Sequence, residues 1–142
     1  MKTGGDARPA GVTALSLFFC FGVAASFVAV VSLLFPGSFL TPVWRLNPRA
    51  HAAFTGMGAW AFALLVPVCA ACLATAVGLW RGARWGYGLA VSMLALNFAG
   101  DAANVLLGTE PRAVFGLPVV VLLLTYLLTK RVRRFFFGPA GG

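Results

Sequence analysis

Three polar side chains, Asn97, Asp101 and Asn104, interrupt the apolar run "LALNFAGDAANVLLG" at residues 94–108. At about 100° of rotation per helical residue they fall within a sector of about 60°, with Gly86, Ala90, Gly100 and Gly108 on or beside the same stripe. Two chemistries suit such a pattern. A carboxylate inside an apolar helix marks an ion, proton or substrate site. A stripe of small and polar residues lets two helix backbones approach while amides bond across the seam. Depth bears on the choice: counted from Trp85, Asp101 lies about 24 Å along the helix, about 6 Å short of the far side of a ~30 Å layer. Its insertion should therefore cost less than the roughly 2.5–3.5 kcal/mol of a central Asp, which weakens a proton relay and favours helix packing.

In an antiparallel arrangement the beginning of the second helix is level with the end of the third. Arg49, His51 and Thr55 are then expected to join Asp101, Asn97 and Asn104 in a polar cluster at the outer rim, with Arg112 as a competing cation. That cluster is the candidate ligand or ion site. Cys69 and Cys72 form a C-x-x-C pair, the spacing of thiol redox motifs. They sit in a run of small residues, "VCAACLATA", in the half of the helix away from an oxidising compartment, so packing is the expected role. His51 is the single histidine, which leaves no pair of axial haem ligands, and three scattered acids make no metal-ligand cluster. No cofactor or metal is expected, no catalytic residue is assigned, and without a nucleophile–base pair the balance leans away from an enzyme.

The elements that must position these residues follow from composition. The 142 residues are 61% hydrophobic and only 10% charged, with a mean hydropathy of +0.93, against about 45–50% apolar and 25% charged in a soluble domain. Apolar stretches predict four membrane helices at 12–35, 48–80, 83–107 and 111–129, filling nearly all of a single domain over 1–142. Pro36 and Gly37 end the first, which is too long for a cleavable signal peptide. Asn47 then Pro48 reads as an N-cap with proline at the first helical position. A helix over 48–80 would be about 50 Å long, so its first turns, with Arg49 and His51, should stand outside the hydrocarbon, and Pro67 should kink it near 63–67. "RGAR" and "GTEPR" turn the chain, and "KRVRRFFF" is a basic, aromatic stop at the interface.

The net charge of +8 comes from short basic groups at the ends of apolar runs, a pattern of membrane orientation and not of nucleic-acid binding. With both termini on one side, that side collects Lys2, Arg8, Arg81, Arg84, Lys130, Arg131, Arg133 and Arg134, against Arg45, Arg49 and Arg112 opposite. The expected architecture is an all-α polytopic membrane four-helix bundle with both termini cytoplasmic, in a bacterial inner membrane. The lipid bilayer is the first partner, with anionic lipid at Arg131, Arg133 and Arg134. A membrane-protein partner or a homo-oligomer is the second.

The stretch "NPRAHAAF" resembles, over about five residues, the R-A-H-x-N segment of the membrane-associated glutathione-binding family. Ala52, Ala53 and Thr55 stand where that family has Asn and a nearby Glu, so its glutathione contacts do not transfer. More broadly, "WRLNPRAH", "GLWRGARWG", "NFAGDAAN" and "PRAVFGLP", across residues 44–118, resemble a class of small, uncharacterised four-helix bacterial membrane proteins. That resemblance implies the architecture and no activity. The leading functional expectation is a non-enzymatic helix-packing or interaction protein. The alternative is transport or small-ligand binding at the outer-rim cluster around Asp101.

The basic-residue count makes a direct prediction. A reporter fused after Gly142 should be active only in its cytoplasmic version, and a periplasmic-active fusion at that position overturns the expected orientation.

Overall fold

The structure, a computed structural model, describes residues 8–110 and 112–138; the tail carrying Lys2 and Asp6, and Pro111, the expected start of the fourth helix, lie outside them. Among the described residues every regular element is helical: α1 (Ala10–Leu34), a 3₁₀ helix (Thr41–Leu46), α2 (Pro48–Met57), α3 (Ala59–Trp80), α4 (Arg84–Leu107), α5 (Ala113–Leu127) and α6 (Lys130–Phe137). An apolar chain in lipid must satisfy its backbone groups within the segment, which is why even the run "VVVLLL", with its three β-branched valines, is helical. Helices α1, α3 and α4 are long and apolar enough to cross a membrane. At 15 residues α5 is about 22 Å long, too short alone. Together with α6, bent from it by 56°, it makes a fourth candidate span.

Two expected helices are divided. The helix expected over 48–80 breaks at Gly58, whose φ of +56° and ψ of −126° are a conformation that side-chain-bearing residues rarely adopt. The interruption therefore falls at Gly58, and Pro67 lies within a continuous α3. Arg49 and His51 end up on a separate ten-residue helix with no buried residue. The fourth helix ends at Leu127, and "KRVRRFFF", expected as a simple stop, folds as α6. Val132 and Phe136, four residues apart, are buried on one face of α6, each contributing about 1.5–3 kcal/mol relative to exposure.

The chain divides into two compact units, one of Met1–Leu17 with Ala74–Gly142 and the other of Phe18–Leu73. In the first, α3 and α4 form a tight hairpin. Gly82, at φ +66°, closes α3, with Ala83 N–H donating to the Gly78 carbonyl at 2.9 Å and Gly82 N–H to Leu79 at 3.1 Å, a Schellman turn. Immediately beyond it the two backbones touch, since a Cβ placed on Gly78 would lie 2.5 Å from Gly86 Cα. Next in sequence, the buried Tyr87 donates its hydroxyl to the Leu127 carbonyl at 3.1 Å. Leu127 is the last residue of α5, whose terminal carbonyls lack helical partners, so this bond satisfies one of them. The Tyr87 ring also packs against Phe136 and Phe137 of α6, with centroids 5.3 Å apart in both pairs. Arg8 closes the other side by donating to the Trp80 carbonyl at 2.6 Å with its guanidinium over the Trp80 ring.

In the second unit the main body of α1 packs on α3 through small residues and thiols. Cys69 donates to the Val23 carbonyl at 3.7 Å, and a Cβ on Gly22 would meet Cys72 Sγ at 3.1 Å. Cys69 and Cys72 are free thiols spent on this contact, in the packing role their surroundings suggest.

The glycine contact is open to a direct test. Gly86→Ala places a methyl group into the Gly78 backbone and should destabilise the protein in detergent by at least about 1–3 kcal/mol. Gly88→Ala on the same helix, where a Cβ meets nothing within 4 Å, is the control and should leave the melting temperature level or slightly higher. Equal melting temperatures for the two variants would show that the contact does not limit the hairpin.

Candidate functional site

The sequence-predicted residues divide between the two units: Asn97, Asp101, Asn104 and Arg112 in the first, Arg49, His51 and Thr55 in the second. On α4 the stripe is used in sections. Its first part, Gly86 and Ala90, is buried in the hairpin. Asp101, half-buried, points at α5, with Oδ2 only 2.6 Å from where a Cβ on Gly116 would lie. The glycine on α5 is what leaves room for the carboxylate. Asn104 serves the end of its own helix: Thr109 donates to its Oδ1 at 2.9 Å, and Thr109 N–H to its carbonyl at 3.0 Å, beside Gly108 in the left-handed region. Arg112 stands at the N-cap of α5, its backbone N–H donating to Glu110 Oε1 at 3.3 Å. Asn97 is exposed, as is Gly100 one turn on, where a Cβ would meet nothing within 4 Å.

The second unit holds the more elaborate polar construction, in the segment that joins α1 to α3. Asn47 ends the 3₁₀ helix and caps α2, its Oδ1 accepting from Ala50 N–H at 3.1 Å with Pro48 in the first helical position, as the Asn-Pro pair predicts. The cap fixes the direction of α2 and so the place of His51. Its imidazole stacks on the Trp44 indole, with centroids 5.0 Å apart and planes 24° apart. Trp44 is held in turn by a 2.9 Å bond from Nε1 to Ser32 Oγ, while Ser32 donates to the Ala29 carbonyl at 3.0 Å. Phe54 packs against the same indole at 6.1 Å. Trp44 thus stands between α1 and α2, and it was not among the candidate site residues read from sequence. The available signal was an indole among polar residues, a group that needs both an apolar seat and one acceptor.

Two cavities meet at His51 and Thr41. The larger, about 460 Å³, is lined by Ser38, Trp44, Arg45, Pro48 and both shared residues. The smaller, about 330 Å³, is more apolar and includes Ser32, Phe54, Thr55 and Phe62. Thr41 is already engaged, its Oγ1 accepting from Gly37 N–H at 3.1 Å. Ser38 Oγ is buried with no hydrogen-bond partner among the described residues. An unpaired buried hydroxyl costs about 1–3 kcal/mol. Arg49, at the start of α2, is exposed. Residues 18–73 contain Arg45, Arg49 and His51 and no Asp or Glu. The groups gathered at the larger cavity are therefore a hydroxyl, a guanidinium and an imidazole, all able to donate to an acceptor.

The close fit of Asp101 against α5 yields a prediction about stability. Asp101→Asn is isosteric and should change it by less than about 1 kcal/mol, whereas Asp101→Leu adds bulk against Gly116 and should cost about 1–3 kcal/mol. Thermal unfolding of both variants in detergent measures this, and identical melting curves would contradict the packing described. Comparison with protein-family models, with curated proteins and with solved structures returns no match to this chain.

Proposed function

We propose that this protein is a multi-pass binding protein of a bacterial inner membrane, with both termini cytoplasmic, that holds a small ligand carrying an anionic or strongly accepting group at the His51 cleft. One observation carries the reading: Ser38, whose hydroxyl is buried without a hydrogen-bond partner among the described residues, lines a cavity together with Arg45 and His51, in a stretch of chain with no carboxylate to pair with Arg45. A charge-assisted bond from Arg45 and one from Ser38 would each strengthen on the same accepting group. The stacked Trp44–His51 pair and the neighbouring apolar cavity suit a ligand with a flat or hydrocarbon part. Rigid walls favour binding because little side-chain entropy is lost on occupation. The orientation rests on the eight-to-three basic count and the bacterial setting on the resemblance described above.

A second reading has its own observation. Asn97 is an exposed amide on a helix apolar enough to lie in a membrane, with an open Gly100 beside it. A helix from a partner or a second copy would satisfy that amide, as expected of a helix-packing interaction protein.

Purification from native membrane in mild detergent, with mass spectrometry of the bound material, separates the two. The cleft reading expects a small molecule retained by the parent, weakened by about 1.5–3 kcal/mol in Arg45→Gln and by less in Ser38→Ala. Retention that both variants leave unchanged sinks the cleft reading. A stoichiometric protein partner lost in Asn97→Leu would establish the second.

A further inference from the structure

We propose that α6 and the α3–α4 turn together form a seat for anionic phospholipid headgroups, recognised through their phosphate oxygens by charge and not by insertion of α6 into the bilayer. Helix α6 has the composition of a membrane-surface helix, with basic residues on one side and aromatics on the other. Most of its apolar face, however, is engaged within the protein, with Phe137 still 46% exposed. Val132 and Phe136 are buried within the protein, Phe136 and Phe137 pack on Tyr87, and Phe135 lies on Gly82, where an added Cβ would meet its ring at 3.2 Å. What α6 turns outward is Lys130, Arg131, Arg133 and Arg134, all exposed.

The docking of Phe135 on Gly82 brings those four cations to the turn that carries Arg81 and Arg84. Arg84 is held with its guanidinium 5.8 Å from the Phe137 ring centroid, which ties the two elements together. Six positive charges thus share one end of the unit. The described carboxylates of the unit, Asp101 and Glu110, lie at least 17 residues further along the chain from Arg84, about 25 Å along α4, against a Debye length of about 8 Å. Neither can neutralise the patch. Exposed Trp80 and Trp85 flank the same turn, 51% and 52% accessible, and exposed indoles at the end of spanning helices sit at headgroup level. The patch therefore faces lipid headgroups, and the occupant its charge selects is an anionic phospholipid.

Because Val132 and Phe136 are buried within the protein and little of the apolar face of α6 is left for insertion, binding should follow headgroup charge and screen with salt. Protein purified in a neutral detergent is titrated with phosphatidylglycerol and, separately, with phosphatidylcholine, and binding is read by native mass spectrometry and by the melting temperature. Phosphatidylglycerol should bind and raise the melting temperature, phosphatidylcholine should do neither, and high sodium chloride should remove the effect. The triple variant Arg131→Gln, Arg133→Gln, Arg134→Gln should bind phosphatidylglycerol about a hundredfold more weakly, at roughly fivefold per basic residue. Its melting temperature without lipid should match the parent, since the replaced side chains are exposed. Equal response to the two lipids, a response that survives high salt, or unchanged binding by the variant overturns the proposal. So does an equal rise in melting temperature with inorganic phosphate alone, or a shift given by a single-stranded oligonucleotide and not by phosphatidylglycerol.

Discussion

The approach of two backbones at Gly78 and Gly86 is the constraint on which the larger unit depends. With no side chain on either, α3 and α4 meet one turn after the Gly82 bend, and the next residue, Tyr87, is carried into the core. From there its hydroxyl reaches the end of α5 and its ring forms the floor on which α6 lies. A side chain at either glycine would move Tyr87 outward, leave the Leu127 carbonyl without its donor and open the seat of Phe136. The order of events along the chain is therefore turn, glycine contact, tyrosine bond and terminal helix, each dependent on the one before.

Several hydroxyls in the apolar helices bond to backbone carbonyls of their own helix. Ser16 donates to the Val12 carbonyl at 3.0 Å and Thr125 to Val121 at 2.9 Å, each one turn back on its own helix. Such bonds make hydroxyls tolerable where water is absent. Against that background Ser38 stands out, because its hydroxyl is buried without a partner among the described residues, and the residue lines a cavity with Arg45 and His51. A segment that invests an N-cap, an indole hydrogen bond and an aromatic stack in one imidazole has been given a fixed shape around two cavities. That rigidity is the physical basis for reading the segment as a place of recognition.

Charge is distributed with the same economy. The connection between α1 and α3 carries cations without acids, and so does the end of the other unit built from α6 and the α3–α4 turn. The first set lines a cavity and the second covers an exposed surface. The open cavity is the basis of the small-ligand proposal and the exposed surface that of the lipid proposal.

Helicity, the apolar spans and some of their ends were legible in the sequence because lipid solvation and capping act locally. Apolar length marked α1, α3 and α4, and Asn47-Pro48 marked the start of α2. The break at Gly58 was not legible, since Gly56, Gly58 and Pro67 are all reasonable interruptions and only packing selects the one that takes positive φ. Helix α6 was hidden because eight residues are too few to read reliably against a strong interfacial stop, although Val132 and Phe136 carry the i, i+4 spacing. The stripe of α4 was visible as a face, but that Gly86 would meet Gly78, Asp101 would face Gly116 and Asn104 would cap its own helix depends on how helices distant in sequence approach. The same holds for Trp44, whose role exists only once Ser32 is brought within 2.9 Å of it. Composition determines which segments leave water and in what conformation, because each residue meets the solvent by itself. Distances between side chains on different helices are decided by the packing of whole surfaces, which no single residue encodes.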